Sequence, residues 1–446
     1  MPKGGSAQAL GFWMCTALVV GNMIGSGVFL LPASLAPYGW NAIVGWVVTI
    51  AGGLCLAGVF ATLSRRFPRE GGPYVYTREA FGRSAGFVVA WSYWISLWVG
   101  NAAIAAAAVS YLAVFAPGML GVPMLPAIVT CAVVWLFTAI NLMGVRWAGG
   151  VQVATTVLKL LPLAAVALIA VIVLSSGHAP PVPPLRISDL SLGAVTATAA
   201  LTLWALLGLE SATVPADRVQ DPTRTIPRAT MVGTVAAGVI YLVVCAAVIL
   251  LMPADQAAAS NAPLADFVAR YWPGAGGGTA RLVLAAFAAI SALGALNGWI
   301  MLQGEMPYAM ARDGVFPRWL AKLSPRGVPV RAHLVSSGLL TVLVLMNGSK
   351  SMADLFTFII LLATNASLIA YLACALALLK MMQERKLAGS AALAAVGALG
   401  GLYALGAMIG AGAEAALWGL VLLMLGGVYH LVARRIEARR LAAESI

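Results

Sequence analysis

The feature that most constrains the fold is a succession of long apolar runs separated by short polar connections. A helix needs about 20 mostly apolar residues to cross the hydrocarbon core of a bilayer. Twelve runs reach or approach this length, and they lie at 11–34, 40–63, 85–114, 123–143, 149–174, 193–215, 230–252, 279–309, 332–347, 353–380, 388–411 and 413–434. They predict an all-α integral membrane protein with 12 transmembrane helices in a lipid bilayer.

The composition excludes several other classes of protein. Only 9% of the 446 residues are charged and 61% are apolar, whereas soluble domains average roughly 25% charged residues. The chain therefore cannot cover the surface of a soluble enzyme, a disordered protein or a nucleic-acid binder, despite its net charge of +12. No nucleic-acid partner is expected.

The reactive residues do not form an enzyme motif. Five cysteines lie in apolar runs without paired spacing, so they indicate neither disulfides nor a metal site. The three histidines are far apart, and no His-Glu-x-x-His, Gly-x-Ser-x-Gly or Gly-x-x-x-x-Gly-Lys-Ser/Thr string occurs. We therefore expect no enzymatic activity, no cofactor and no metal. A channel is not expected either, because no filter loop or ring of like residues is visible.

Basic residues divide unevenly between alternate connections. With the N-terminus inside, the termini and the connections after even-numbered runs carry most of the 27 Lys and Arg residues. The opposite connections carry only Arg186, Arg270, Arg281 and Lys350. Cytoplasmic loops of membrane proteins are enriched in Lys and Arg. We expect a multi-pass protein of the cell (inner) membrane with both termini in the cytoplasm.

Two of the runs contain a Gly that is followed seven residues later by Pro. Gly25 and Pro32 lie in run 1, and Gly208 and Pro215 lie in run 6. In a helix interior Gly costs roughly 1 kcal/mol and Pro roughly 3 kcal/mol relative to Ala. Within a membrane, broken backbone is tolerated only where protein or a water-filled cavity satisfies it. We predict that helices 1 and 6 are unwound at these points.

The two interruptions lie five runs apart and in matching positions. A repeat with an odd number of spans must invert its second copy, and inverted repeats with paired broken helices mark the midplane site of a transporter. We expect one transmembrane domain over 1–446. It contains inverted repeats at about 11–174 and 193–380 and two further helices at about 388–434. The alternative is that Gly and Pro only allow close helix packing, which suits one interruption better than two.

Broken helices have a specific binding chemistry. Free N–H groups at a helix start attract an anion, and free carbonyls at a helix end attract a cation. Two such helices that cross make a pocket for a zwitterion. The residues alone therefore predict a small-molecule substrate that is an amino acid or a similar compound.

Five strings in order give the chain a family resemblance. They are GNMIGSGVFLLP at 21–32, GGPYVYTREAFG at 71–82, TLWALLGLESA at 202–212, DPTRTIP at 221–227 and ARDGVFP at 311–317. The chain resembles the amino acid–polyamine–organocation (APC) superfamily, and most of all the bacterial arginine/agmatine and putrescine/ornithine antiporters. The resemblance covers nearly the whole chain. It implies a LeuT-type 5+5 inverted repeat with helices 1 and 6 unwound, two extra C-terminal helices, and alternating access.

The resemblance also implies binding roles for individual residues. Ser26 and Gly27 would hold the substrate carboxylate, and the carbonyls of Met23, Trp204 and Leu207 would hold its α-amino group. The complete implied substrate-binding set is Asn22, Met23, Ile24, Gly25, Ser26, Gly27, Ser96, Leu97, Asn101, Ile104, Trp204, Leu207, Gly208, Trp299 and Ala363.

Further members of this set would contact the substrate's side chain. Asn101 would cap its polar end and Ile104 would pack against it. Trp299 would stack on a guanidinium or an alkylammonium, a contact worth roughly 0.5–2 kcal/mol. Trp204 would close over the occupied site. Tryptophans are also common membrane-interface anchors, but Trp204 and Trp299 lie mid-span.

Three gating residues follow from the same resemblance. Tyr93, Glu210 and Tyr371 would form an outer gate, and an intramembrane carboxylate such as Glu210 is functional by default. Glu305 is a second acidic residue near membrane depth, at a point where the sequence departs from the resemblance. It has three interpretations: it forms an ion pair with a cytoplasmic Arg as a structural lock, it serves an inner gate or a proton path, or it is simply exposed.

Lys159 lies inside run 5, where the two antiporter groups that the chain resembles are apolar. In other superfamily members, including proton-coupled transporters, a Lys at such a point is thought to replace a sodium ion beside spans 1 and 8. Lys159 is then either a proton carrier or a structural cation. The alternative is a side chain that snorkels to the membrane interface.

Two functions remain open from the sequence. The favoured one is an antiporter that exchanges a cationic amino acid for its decarboxylated amine or for another amino acid. The alternative is a proton-coupled symporter or exporter of neutral amino acids, for which protons would be a second partner. Lys159 favours the alternative, as does Ala363, where the resemblance leads us to expect a hydroxyl. Resembling antiporters form dimers, so a homodimer is a further expectation.

Overall fold

The computed structural model describes residues 11–67, 71–143, 145–177, 180–210, 219–272 and 276–444, without the side chains of 18, 145–157 and 433–444. Within these ranges the chain is all-helical and contains no strand. The helices are α1 (Phe12–Met23), α2 (Gly27–Leu35), α3 (Trp40–Arg66), α4 (Pro73–Phe81), α5 (Arg83–Leu112), α6 (Leu125–Leu142), α7 (Val145–Ser175), α8 (Leu192–Leu206), α9 (Pro222–Leu251), α10 (Ala254–Ala259), α11 (Pro263–Tyr271), α12 (Gly277–Arg312), α13 (Val330–Met346), α14 (Met352–Gln383), α15 (Ala391–Gly410) and α16 (Gly412–Glu444).

Fewer of the described helices have the length and hydropathy of a membrane span than there are predicted runs. Among the described residues, nine helices are long and apolar enough to cross a bilayer, or ten if the bent pair α1–α2 is one span. Two further apolar helices, α8 and α13, have only 15 and 17 residues. Together these elements occupy the positions of the twelve runs.

Several boundaries differ from the predicted ones. Helix α8 ends at Leu206, two residues before Gly208, and residues 211–215 of that run, including Pro215, lie outside the described residues. Helix α9 begins at Pro222 rather than at 230, because Pro is well suited to the first position of a helix. The short helices α4, α10 and α11 lie between apolar runs and were not predicted.

Helix α5 forms the centre of the bundle. Its residues from Gly86 to Tyr111 are almost all buried, and it packs on α12 and α14. By contrast, α15 and α16 expose many leucines at the periphery. An interior helix of this kind can present side chains to a central cavity, and α5 contributes the largest share of the site described next.

Candidate functional site

A small cavity lies where the α1–α2 break meets the C-terminal end of α8. Its walls also include residues of α5, α12 and α14. The space within it is about 30 Å³, which holds about two water molecules. The cavity is therefore too small for an amino acid until the surrounding helices move.

The cavity brings together most of the predicted substrate-binding residues. Those on its wall are Asn22, Met23, Gly25, Ser26, Gly27, Ser96, Leu97, Asn101, Ile104, Trp204, Leu207 and Trp299, together with the predicted gate residues Tyr93 and Glu210. Ile24, Gly208 and Ala363 do not line it. Gly100 and Ser367 line it but were not predicted. Ser367 is one helical turn beyond Ala363, so the predicted position on α14 was one turn from the wall residue.

The α1–α2 break supplies a site for an anion. Helix α1 ends at Met23 and α2 begins at Gly27. The first N–H groups of a helix lack intrahelical partners and carry partial positive charge. Ser26 is buried beside them, and its Oγ has no hydrogen-bond partner within the described part of the chain. A carboxylate at this point would accept from the hydroxyl and from the amides.

The end of α8 supplies the opposite charge. The last regular residue is Leu206, and Leu207 turns away with its N–H bonded to the Trp204 carbonyl at 3.2 Å. Gly208 follows with φ of +105°, a conformation that L side chains rarely adopt. The last carbonyls of a helix carry partial negative charge. A positively charged α-amino group can therefore bind beside Leu207.

Glu210 is held by two tyrosines from different helices. Tyr93 Oη donates to Glu210 Oε1 at 2.9 Å, and Tyr371 Oη donates to Oε2 at 2.5 Å. The Gly208 N–H donates to the same Oε2 at 3.2 Å. Glu210 is buried. These bonds join α5 and α14 to the segment after α8, which is the geometry that a gate across the cavity requires.

Two indoles form the aromatic part of the wall. The Trp204 ring lies against α5, so close that a Cβ added at Gly100 would be 3.0 Å from Trp204 Cη2. A Cβ at Gly208 would be 3.5 Å from Trp299 Cζ2. Both indoles line the cavity. A substrate ammonium or guanidinium over either ring would gain a cation–π interaction.

Asn101 is the amide side chain of the α5 wall. Its Nδ2 donates to Gln303 Oε1 at 2.9 Å. Its Oδ1 is buried without a hydrogen-bond partner among the residues that the structure describes. Gln303 was not predicted as part of the site. The available signal was an amide one turn after Trp299 in a largely apolar run.

Lys159 and Glu305 lie away from the cavity. The Lys159 side chain is fully buried, and its Nζ donates to the Gly21 carbonyl of α1 at 3.0 Å. This position does not fit a side chain that snorkels to the interface. Glu305 is half-buried in α12. None of the ion pairs formed by described residues involves Glu305, so the structural lock with an Arg is not observed.

Comparison with known proteins identifies the family. The sequence profile of the amino acid permease family matches residues 10–432. The chain belongs to the amino acid permease family. The permease is therefore a multi-pass membrane transporter and not an enzyme.

Three characterised or curated relatives are similar over most of the permease. The cadaverine/lysine antiporter of Escherichia coli (strain K12) is 36% identical over 364 residues, 79% of each chain. A putative arginine/ornithine antiporter of Bacillus subtilis (strain 168) is 33% identical over 401 residues, 83% of this chain and 84% of its own. The putrescine transporter PotE of Escherichia coli (strain K12) is 30% identical over 446 residues, 97% of this chain and 98% of its own.

Proposed function

We propose that the permease is an antiporter that exchanges a cationic amino acid of the lysine class for its decarboxylated diamine. The observation that carries this proposal is the composition of one cavity wall. The opposed helix ends at Gly27 and Leu206 suit the charges of an α-amino acid. On the same wall Trp299 and the unpartnered Asn101 Oδ1 suit a second, distal cation.

The relatives support the same substrate class. Their names include lysine, cadaverine, arginine, ornithine and putrescine, all of which carry a cationic group at the end of an aliphatic chain. The absence of a hydroxyl at Ala363 does not weigh against such a substrate, because Ala363 is not on the cavity wall. Since the family supports several substrates, identity within the class needs direct measurement.

The transport cycle that we propose is alternating access in a twelve-span protein. The spans form two inverted repeats of five with helices 1 and 6 unwound, followed by two extra helices, and both termini are cytoplasmic. The Glu210 hydrogen bonds with Tyr93 and Tyr371 form the outer gate. This gate must open before a substrate enters, since the cavity volume is about 30 Å³. A homodimer is part of the proposal, by resemblance to other antiporters.

Lys159 favours a second candidate function, proton-coupled transport of neutral amino acids. A buried ammonium bonded to the Gly21 carbonyl ties α7 to α1 just before the α1–α2 break. Loss of its proton would weaken that hydrogen bond, because a neutral amine is a poorer donor than an ammonium. In the antiporter, the same ammonium is a permanent structural cation.

Reconstituted proteoliposomes distinguish the two functions. The assay is uptake of labelled lysine, arginine, ornithine, cadaverine, putrescine, leucine and alanine, into empty and substrate-loaded vesicles, with and without a pH gradient. We expect uptake of cationic substrates only into loaded vesicles and no effect of the pH gradient. Uptake of leucine or alanine into empty vesicles, driven by the pH gradient, would replace the antiporter with the symporter.

A further inference from the structure

A chain of four buried polar side chains runs from the cavity wall into the bundle. Asn101 Nδ2 on α5 donates to Gln303 Oε1 on α12 at 2.9 Å. Gln303 Nε2 donates to Ser337 Oγ on α13 at 2.9 Å. Ser337 Oγ lies 2.8 Å from Thr138 Oγ1 on α6. Thr138 Oγ1 in turn donates to the Val134 carbonyl at 2.8 Å. All four side chains are fully buried.

The hydrogen bonds of this chain have one direction. A carbonyl only accepts, so Thr138 gives its single hydroxyl proton to Val134. Ser337 must then give its proton to Thr138, and its Oγ is left to accept from the amide nitrogen of Gln303. The direction of a buried amide is determined by such partners. Gln303 therefore presents its oxygen to Asn101 and accepts from Asn101 Nδ2.

The consequence lies at the cavity. Asn101 lines the cavity, whereas Gln303, Ser337 and Thr138 do not. With one N–H of Nδ2 bonded to Gln303, the Asn101 amide is held in one orientation and Oδ1 is its remaining acceptor. This atom has no partner in the described parts of the chain. A buried acceptor without a partner is unfavourable, so an incoming N–H group would be bound and an incoming oxygen would be repelled.

We propose that the Thr138–Ser337–Gln303 chain fixes Asn101 as a hydrogen-bond acceptor and so selects substrates whose side chain ends in an N–H donor. Ammonium and guanidinium groups satisfy Oδ1, and side chains that end in an acceptor do not. Gln303, Ser337 and Thr138 are positioning residues, since they act through Asn101. The inference rests on the proposed function, because it requires an amino acid in this cavity.

Substituting Thr138 tests the direction of these hydrogen bonds without changing a residue of the cavity wall. Thr138→Val keeps the shape but removes both the proton given to Val134 and the acceptor for Ser337. The hydrogen bonds between Ser337, Gln303 and Asn101 can then run in the opposite direction, and Asn101 can turn its nitrogen toward the substrate. Thr341→Val is the matched control, because Thr341 Oγ1 donates to the Ser337 backbone carbonyl at 2.8 Å and is not part of the chain.

The readout is the affinity for matched ligands, measured by competition with radiolabelled lysine on the full-length protein in detergent. Methionine sulfoxide ends in an acceptor without a donor, and methionine is its control. In the wild type, reversing the direction of these hydrogen bonds loses about one buried hydrogen bond. Thr138→Val removes this cost, so we expect it to improve the binding of methionine sulfoxide about fivefold relative to that of methionine. The affinity for lysine changes about twofold or less, because the Asn101 amide can still adopt the orientation that binds lysine.

Ser337→Ala interrupts the chain at a second point and is expected to have the same effect, which keeps the test available if Thr138→Val does not fold. Thr341→Val should leave the affinities for lysine, methionine sulfoxide and methionine unchanged. A methionine sulfoxide to methionine ratio that stays at the wild-type value in both chain variants would overturn the inference, as would an equal loss for every ligand. If the wild type itself does not bind lysine or a diamine, the proposed function fails and this inference fails with it.

Discussion

Replacing Tyr371 with Phe is expected to open the outer side of the cavity. The substitution removes one hydroxyl and keeps the ring that packs edge-on against Phe60 at a centroid distance of 5.2 Å. The lost hydrogen bond is the 2.5 Å contact from Tyr371 Oη to Glu210 Oε2. Glu210 keeps its bonds from Tyr93 and the Gly208 amide, so the gate is weakened rather than removed.

The size of the effect follows from the kind of bond that is lost. Hydrogen bonds that involve a charged group contribute about 1.5–3 kcal/mol net, whereas neutral ones contribute about 0.5–1.5 kcal/mol. Opening the gate separates Tyr371 from Glu210, so this free energy is removed from the closed state alone. Because about 1.4 kcal/mol corresponds to a factor of ten, we expect the open population to rise about tenfold or more.

A cysteine at the cavity wall reports this population. Ser367 lines the cavity, and Ser367→Cys in a background without the native cysteines provides one thiol for a membrane-impermeant reagent. We expect the labelling rate in proteoliposomes to rise about tenfold in Tyr371→Phe. Tyr403→Phe is the control, since its hydroxyl bonds Thr49 Oγ1 at 3.1 Å away from the cavity. Equal rates in the two variants would refute the gate.

Three further predictions use other parts of the molecule. Gly100→Ala places a methyl 3.0 Å from the Trp204 ring, so we expect a several-fold higher KM for lysine exchange. The control is Gly427→Ala, which should leave KM unchanged because no atom lies within 4 Å of a Cβ added at Gly427. Lys159→Met removes the hydrogen bond to the end of α1. If the permease is an antiporter, this variant has a lower Tm and its exchange remains independent of the pH gradient. A response to the pH gradient that the wild type shows and the variant loses would indicate proton coupling instead. The neighbouring Lys386 and Lys380 ammoniums lower the pKa of the exposed Glu384. Its small stabilising contribution is therefore present above the ordinary carboxyl pKa and lost as the pH falls below it, so Glu384→Gln should flatten the acid limb of Tm against pH.

The apolar runs were sufficient to locate the helices that cross the bilayer. Their length and hydropathy are properties of the sequence itself, and α3, α5 and α14 begin and end within a few residues of the predicted limits. The short helix α4 was missed because nine residues of mixed polarity give no membrane signal. The apolar run at 193–215 extends past Leu206, the last residue of α8, because a hydropathy pattern does not register the positive φ of Gly208.

The site was harder to predict than the helices, since it depends on which face each helix turns inward. Motif resemblance identified Asn101 and Trp204, which lie on the wall. It placed the α14 contact at Ala363 instead of Ser367, one turn further along the same face, because a helix without a motif gives no signal for how far along it the cavity lies. The sequence marks Gln303 only as an amide one turn after Trp299, and it does not show that Gln303 pairs with Asn101. Gln303 is distant along the chain, and only packing brings α12 against α5.

The charge moved in each exchange tests the central claim most directly. At neutral pH lysine carries one net positive charge and cadaverine carries two, so a one-for-one exchange moves one charge and is worth about 2.3 kcal/mol per 100 mV of membrane potential. The measurement is tracer flux and membrane current in the same cadaverine-loaded proteoliposomes. The account predicts one elementary charge per lysine taken up, and no current when lysine is inside as well. Lysine uptake that needs no internal substrate would contradict it.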